Sequence, residues 1–287
     1  QIDAALIMGG NLYGATPNSN WAAEALDNIG FKLCLTTTLN QGHIHGCDAS
    51  ENLILPVTAR DEEWQPTTQE SMFNYVRLSD GGIKRHENTR TEVAVLSDLA
   101  QQLLKNCPVD FSQFKQHKTI RETIAKIIPG MKKLADIDIA KREFHIQGRL
   151  KHQPEFNLPK GLAQFKVRPI PPTRQHQDYP FTLTTVRSEG QFNTIIYEER
   201  DSYRNTQDRW SVLMNPGTIE KLGIKNNVVN LVSNYGRMDR VRVYPFDLPD
   251  NNLMAYFPEA NILIGGESDP RSKTPAFKAV PVKIVAI

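Results

Sequence analysis

The chain has 287 residues, 39% hydrophobic and 23% charged, the balance of a globular protein with room for roughly two domains. Its 34 basic and 32 acidic residues leave a net charge of +2, so no bulk field favours nucleic acid or an anionic membrane, and any anion must be held by local groups. No apolar run reaches membrane-spanning length, and the opening QIDAALIMGG lacks the basic flank and long apolar core of a secretion signal. A cytoplasmic chain with no membrane span and no nucleic-acid partner is expected.

Ala4 to Met8 is a short apolar run closed by Gly9-Gly10-Asn11, and Asn20 to Asn28 has helical spacing with Trp21, Ala25 and Leu26 near one face. Phe31 to Leu35 predicts a second strand, followed by the polar run Thr36 to His43, and Asn52 to Pro56 a third. Strands alternating with a helix imply a parallel sheet, where ligands sit beyond the carboxyl ends of strands. Gly9-Gly10 is either such a ligand loop or only a turn. Cys34, Cys47 and Cys107 are odd in number and lack CxxC spacing, so free thiols are expected. Opening on Gln1 and entering a buried-looking strand within a few residues, the chain reads as a piece of a longer polypeptide.

From Thr58 to about Pro159 the pattern turns charged and irregular, with two helices expected. Glu92 to Lys105 places Leu96, Leu99, Ala100, Leu103 and Leu104 on one face. A second starts at Thr119 with Glu122 completing a capping box, buries Ile120, Ile124, Ile127 and Ile128, and stops at Pro129-Gly130. Arg60, Asp61, Glu62 and Glu63 offer carboxylates for acid–base work or form a solvated, ion-paired loop. His43, His45 and His86 lack the further ligands that a metal site needs.

Beyond the connector at Pro169, Pro171 and Pro172 the chain is strand-dense: Thr182 to Val186, Thr194 to Glu198, Ser211 to Met214, Val228 to Val232, Arg240 to Phe246, Leu253 to Phe257 and Ala279 to Val285. One short helix, capped by Asn215 with Pro216 at its first position, ends at Leu222-Gly223. Many short strands and a single helix predict a closed β-barrel. The chemistry concentrates between Phe181 and Arg204, where Arg187, Ser188, Glu189, Gly190, Gln191, Asn193 and Thr194 lie between two apolar rhythms. An arginine fork with two carboxamides reads phosphate and purine edges, and Gly190 permits close backbone approach. A polar hairpin with an ion pair to Glu198 or Glu199 is the other reading.

These stretches also carry a resemblance. LTTVRSEGQFNTIIYEERDSYR, MNPGTIEKLGIKNNVVNLVSNYG and AYFPEANILIGGESDPRSKTPAFKAVPVKI resemble the C-terminal dinucleotide-binding domain of molybdopterin oxidoreductases, most of all the formate dehydrogenase alpha-subunit-like branch. IMGGNLYGATPN, TTTLNQGHIHG and NLILPVTARDE are similar to the end of the preceding cofactor domain. The resemblance implies an α/β plus β fold: residues 1–58 completing a Rossmann-like α/β cofactor domain, 59–160 a mainly helical connecting region, and 161–287 a double-psi-type β-barrel.

It further implies a bis(molybdopterin guanine dinucleotide) cofactor with molybdenum or tungsten. An iron–sulfur cluster and the metal-ligating residue would lie in N-terminal domains of the same polypeptide absent from this sequence, and an electron-transfer partner would complete the system. Carried over, Gly9, Gly10 and Asn11 match the strand-end glycine loop beside the dinucleotide, and Thr37 and Asn40 the next strand-end loop. Arg187, Gln191 and Asn193 match the ligand turn of the barrel, and Asn261 and Lys278 polar positions near its end. Gln191 stands where some formate dehydrogenases have histidine, which leaves the substrate open. No catalytic or metal-ligating residue is assigned. The implied function is that of a cofactor-holding segment, inactive alone. A barrel that binds a protein or peptide without redox chemistry is the alternative, and a self-contained NAD-type dehydrogenase lacks a complete GxGxxG.

Overall fold

The computed structural model describes residues 2–147, 155–170, 176–285 and 287. Gln1, Pro171 and Pro172, which entered the reading of the chain's opening and of the connector, lie outside them. The chain divides into two compact units, one formed by Gln1–Ile54 with Pro171–Ile287 and the other by Leu55–Ile170.

The first unit opens with β1 (Ala4–Met8), α1 (Leu12–Ala15), α2 (Ser19–Asp27), β2 (Phe31–Thr36) and β3 (Glu51–Pro56). β1 and β2 pair in parallel from Ala4 opposite Phe31 to Met8 opposite Leu35, and the sheet order is β1-β2-β3. The inward face of α2 is Ser19, Ala22 and Leu26, while Trp21 is 58% exposed. The expected face shared by Trp21, Ala25 and Leu26 is thus rotated: Ser19, Ala22 and Leu26, three and four residues apart, form the buried stripe and leave Trp21 outside it, and Asn18 caps the helix. Lys32 is buried and donates through Nζ to the carbonyls of Leu26 and Gly46 and to Ser50 Oγ.

In the second unit β4 (Thr67–Glu70), β5 (Tyr75–Ser79), α3 (Glu92–Leu103), α4 (His117–Ile127), α5 (Ile137–Ala140) and β6 (Phe144–His145) follow. β4-β5-β6 form an antiparallel sheet that sequence reading missed. Its core is Val76, Met131, Leu134, Ile137, Phe144 and Ile146. α3 buries Val95 and Ser97, and Leu103 and Leu104 are exposed, unlike the predicted leucine face. α4 starts at His117 without a side-chain cap, so the Thr119–Glu122 capping box does not form. It buries His117 and Arg121, whose hydrogen bonds to Pro66 O and Asp138 orient the helix and leave Ile127 and Ile128 exposed. Asp61 and Glu62 pair with Arg85, and buried Glu63 lies 3.7 Å from His117 Nε2.

The remainder of the first unit is a barrel: β7 (Phe181–Val186), β8 (Ser211–Met214), α6 (Pro216–Lys221), β9 (Val228–Val232), β10 (Arg237–Pro245), β11 (Asn252–Tyr256) and β12 (Val280–Val285). It closes in the order β10-β8-β11-β7-β12-β9, so the fold combines an α/β sheet with a closed six-stranded barrel. Phe181, Leu183 and Thr185 point inward from β7 in strict alternation, joining Val212, Met214, Leu231 and Leu253 in the core. The Asn215 side chain caps α6 at the amides of Gly217 and Thr218, with Pro216 at the first position. Thr194 to Glu198 is not a strand. A tight turn pairs Phe192 with Ile196, Asn193 takes a positive φ of 51°, and Thr194 turns its carbonyl to Asn11. Among the described residues no helix is long and apolar enough to cross a membrane.

Candidate functional site

β7 and β11 run parallel and in register, from Asn252 opposite Thr182 to Tyr256 opposite Val186. Their carboxyl ends therefore open at one rim of the barrel, as does the segment leading into β12, since Thr185 bonds Phe277 O. A cavity of about 490 Å³ lies there, lined by Gly10, Asn11, Arg187, Asn193, Phe257, Phe277 and Lys278 among others. Arg187 continues the parity of Leu183 and Thr185 past the strand end and lies over the Phe257 ring, 5.8 Å from its centroid. Phe257 and Phe277 meet edge to face at 5.7 Å. Lys278 Nζ donates to Thr185 O, and neither Arg187 nor Lys278 has a carboxylate partner among the described residues. Burial, reinforced by the Arg187 charge, pushes the Lys278 ammonium below its ordinary pKa.

Gly9 and Gly10 take positive φ of 59° and 78°, and a Cβ at either would meet nothing within 4 Å. Gly9 N donates to Leu35 O at 2.7 Å and Gly10 O accepts from Asn40, so the side of the loop that a ligand can approach is the Gly10 backbone on the cavity. Asn11 is 5% exposed: Oδ1 accepts from Gly14 N, capping α1, and Nδ2 donates to Thr194 O at 3.0 Å. Asn40 spans Gly10 O and Gly42 N. Thr37 is exposed after β2 and does not line the cavity. His43 Nδ1 accepts from Asn40 N, and His45 stacks on Tyr13 at 4.4 Å.

A carboxamide offers two acceptor and two donor positions, and Gln191 uses all four within the protein. Oε1 accepts from Ser188 N and Arg209, and Nε2 donates to the carbonyls of Asn193 and Phe257. Asn261 is fully buried, donating to Gly14 O and Thr16 O while Oδ1 has no partner among the described residues. Asn193 is exposed, and its carboxamide is uncommitted among the described residues. The cavity thus brings together Gly10, Asn11, Arg187, Asn193 and Lys278, with Gly9 adjoining. Gln191, Asn40 and Asn261 stand behind its walls.

The stretch Asp201 to Arg209 holds residues that the sequence did not single out. Arg209 is 2% exposed and bonds Glu259 through Nε and Nη2 at 2.7 and 3.0 Å. It also reaches Ser188 Oγ, Gln191 Oε1 and Phe257 O, with its guanidinium over the rings of Tyr197 and Tyr256. Asp201 is 1% exposed. Burial alone would raise its carboxyl, but hydrogen bonds from Arg204, Tyr256 and the Glu189 amide outweigh this and hold it below the ordinary carboxylate range. Burial, and then the Asp201 carboxylate, push the Tyr256 phenol up to about 12, although its contact with Thr206 opposes the shift. Only aromatic density beside Asp208-Arg209 hinted at this network, because a sequence does not reveal that an arginine is buried.

The class of domain is given by the barrel itself: residues 181–281 match the molydopterin dinucleotide binding domain family. A curated relative, the uncharacterized oxidoreductase Rv2900c of Mycobacterium tuberculosis (strain ATCC 25618 / H37Rv), is 31% identical over 96% of this chain and 38% of its own length. Protein YdeP of Escherichia coli (strain K12) is 28% identical over 99% of this chain and 40% of its own. The chain therefore spans about two-fifths of these relatives, and the domain match with the named oxidoreductases supports a molybdopterin oxidoreductase family. Among solved structures, acetylene hydratase from Pelobacter acetylenicus superposes with a TM-score of 0.69 at 12% identity, covering 99% of this chain and 44% of that one. That likeness concerns the fold alone.

Proposed function

We propose that this chain is the cofactor-holding portion of a molybdenum or tungsten oxidoreductase resembling formate dehydrogenase, and that its rim cavity receives part of a bis(molybdopterin guanine dinucleotide) cofactor. The carrying observation is the pair Arg187 and Lys278, two cations on one cavity without a carboxylate partner among the described residues, beside the Gly10 backbone, where no side chain intervenes. A pyrophosphate is held by cations and close backbone amides, and a purine or pterin edge by mixed donors and acceptors. This donor set fits. Arg187 and Lys278 would hold the anionic bridge, Asn193 would read a heterocycle edge, and Phe257 and Phe277 would exclude water from it.

When bound, the cofactor supplies the redox chemistry, and the chain supplies binding and orientation. A Rossmann-like completion of the parallel sheet, a double-psi barrel topology and domain limits of 1–58, 59–160 and 161–287 belong to the same proposal. So do a cytoplasmic location, N-terminal domains in the same polypeptide carrying any iron–sulfur cluster, and an electron-transfer partner.

Metal content by mass spectrometry together with pterin fluorescence after oxidation, on the uncut natural polypeptide purified without air, tests this reading. Molybdenum or tungsten with about two pterins per chain is expected from a bis-pterin cofactor. Neither metal nor pterin, in a cofactor-competent preparation, would replace the proposal with a non-enzymatic barrel module.

A further inference from the structure

Arg209 does not line the cavity, yet two of the segments that wall the cavity meet on its guanidinium. From the turn after β7 come Ser188 Oγ at 2.7 Å and Gln191 Oε1 at 3.1 Å. From the segment after β11 come Phe257 O at 2.7 Å and the Glu259 carboxylate. The fork is 2% exposed and stacks against Tyr197 at 4.1 Å, so it is fixed on its faces as well as along its edges. A lysine ammonium cannot serve acceptors spread around a plane.

The consequence passes through Gln191. Arg209 and Ser188 N together occupy its Oε1, which turns Nε2 onto the carbonyls of Asn193 and Phe257. That carboxamide sets the path of the chain from Ser188 to Asn193, including the left-handed backbone at Asn193, and Arg187 stands at its start. We infer that Arg209, held by Glu259, is the positioning residue of this cavity: it acts through Gln191 and Phe257 to place Arg187 and Asn193 for an anionic heterocyclic ligand. The inference rests on the cofactor reading proposed above and assigns Gln191 to orientation of the wall, with no capacity left to read a ligand.

The test measures cofactor release from the anaerobically purified natural polypeptide, as the rate at which pterin fluorescence appears in the protein-free fraction. The variants are Arg187→Ala, Arg209→Lys, the double variant Arg209→Met with Glu259→Met, and Arg187→Ala combined with each Arg209 change. Removing both buried charges together keeps the fold accessible where a single change leaves one unpaired. Release at least about tenfold faster is expected for Arg187→Ala, for Arg209→Lys despite its retained charge, and for the Met pair. In either Arg209 background the further effect of Arg187→Ala should shrink to about twofold or less, because a guanidinium already displaced has little left to lose.

Full additivity would overturn the inference, since a residue that only stabilises the barrel leaves the Arg187 contact intact. Release at the parent rate from the Met pair would overturn it equally, and that variant decides the matter should Arg209→Lys fail to fold. Parent-like release from Arg187→Ala alone is a different result: it removes the Arg187 contact from the cofactor reading, and the positioning role falls with it, whereas absence of pterin from the parent removes the cofactor reading itself.

Discussion

Replacing Asn11 with aspartate alters one atom of a buried group that joins α1 to the turn after β7. In the parent, Oδ1 accepts from Gly14 N at 2.8 Å and Nδ2 donates to Thr194 O at 3.0 Å. The carboxylate keeps the first bond but sets an oxygen against the Thr194 carbonyl. Losing a buried hydrogen bond costs about 0.5–1.5 kcal/mol, and stranding the acceptor about 1–3 more. With some return from the stronger bond to Gly14, local opening should become easier by about 1–4 kcal/mol, roughly 5- to 1,000-fold. The sign with pH follows from the introduced carboxyl. Its folded pKa lies above the unfolded value of about 3.9, because burial and the facing carbonyl disfavour the charge while the protonated form can donate to Thr194 O. The variant is therefore nearest the parent in acid, and its deficit grows as pH rises from the unfolded pKa through the folded one. Hydrogen exchange by mass spectrometry on peptides covering 11–18 and 190–197, as the variant-to-parent ratio at about pH 5 and about pH 7.5, reads this directly. Equal protection in variant and parent, or a deficit independent of pH, would refute the reasoning.

Arg187→Ala should weaken cofactor retention by about 1.5–3 kcal/mol, the range of a charge-assisted contact. It should scarcely change the melting of cofactor-free protein, because among the described residues the guanidinium's side-chain contact is the Phe257 ring; pterin content and thermal unfolding separate the two. Burial and Arg187 lower the Lys278 pKa, and a bound anion would raise it again. Cofactor affinity should therefore fall as pH climbs through the lowered value, starting below the usual lysine range, and Lys278→Met should abolish that alkaline limb of the release profile. Tyr256→Phe removes a buried hydroxyl bonded to Asp201 and Thr206 and should cost about 1.5–3 kcal/mol, read by denaturation. The parent's tyrosine absorbance titration should show a final component near the value of about 12 expected for Tyr256, absent from the variant.

What the sequence made legible follows local rules. Alternation over Phe181–Val186 and the Asn215-Pro216 cap are set by neighbours a few residues away, and both elements form with nearly the expected bounds. The sheet β4-β5-β6 was illegible, because Thr67–Glu70 is short and polar and β5 finds part of its pairing at Phe144–His145, far along the chain. Thr194 to Glu198 has the composition of a strand, but Thr194 is drawn out of that role by its bonds to Asn11. The same limit governs the site. Residue types at Gly10, Arg187, Asn193 and Lys278 suggest anion and heterocycle binding, and the barrel rim brings them together. Whether a carboxamide is free, as at Asn193, or fully used, as at Gln191, depends on partners that only the fold supplies.

The first unit is discontinuous, with Leu55–Ile170 interposed between its parts. As the chain leaves the ribosome, Asn11 must wait for Thr194, and the carbonyls of Gly14 and Thr16 must wait for Asn261. Closing so long a separation adds little to the equilibrium cost, which grows only logarithmically with length, but it delays assembly. Until the last strands emerge, the barrel is unclosed and the early sheet has no finished cavity beside it. The interval before Lys278 is synthesised is therefore when this polypeptide is most exposed to misassembly and to chaperone capture, and no ligand can be retained at the rim before that interval ends.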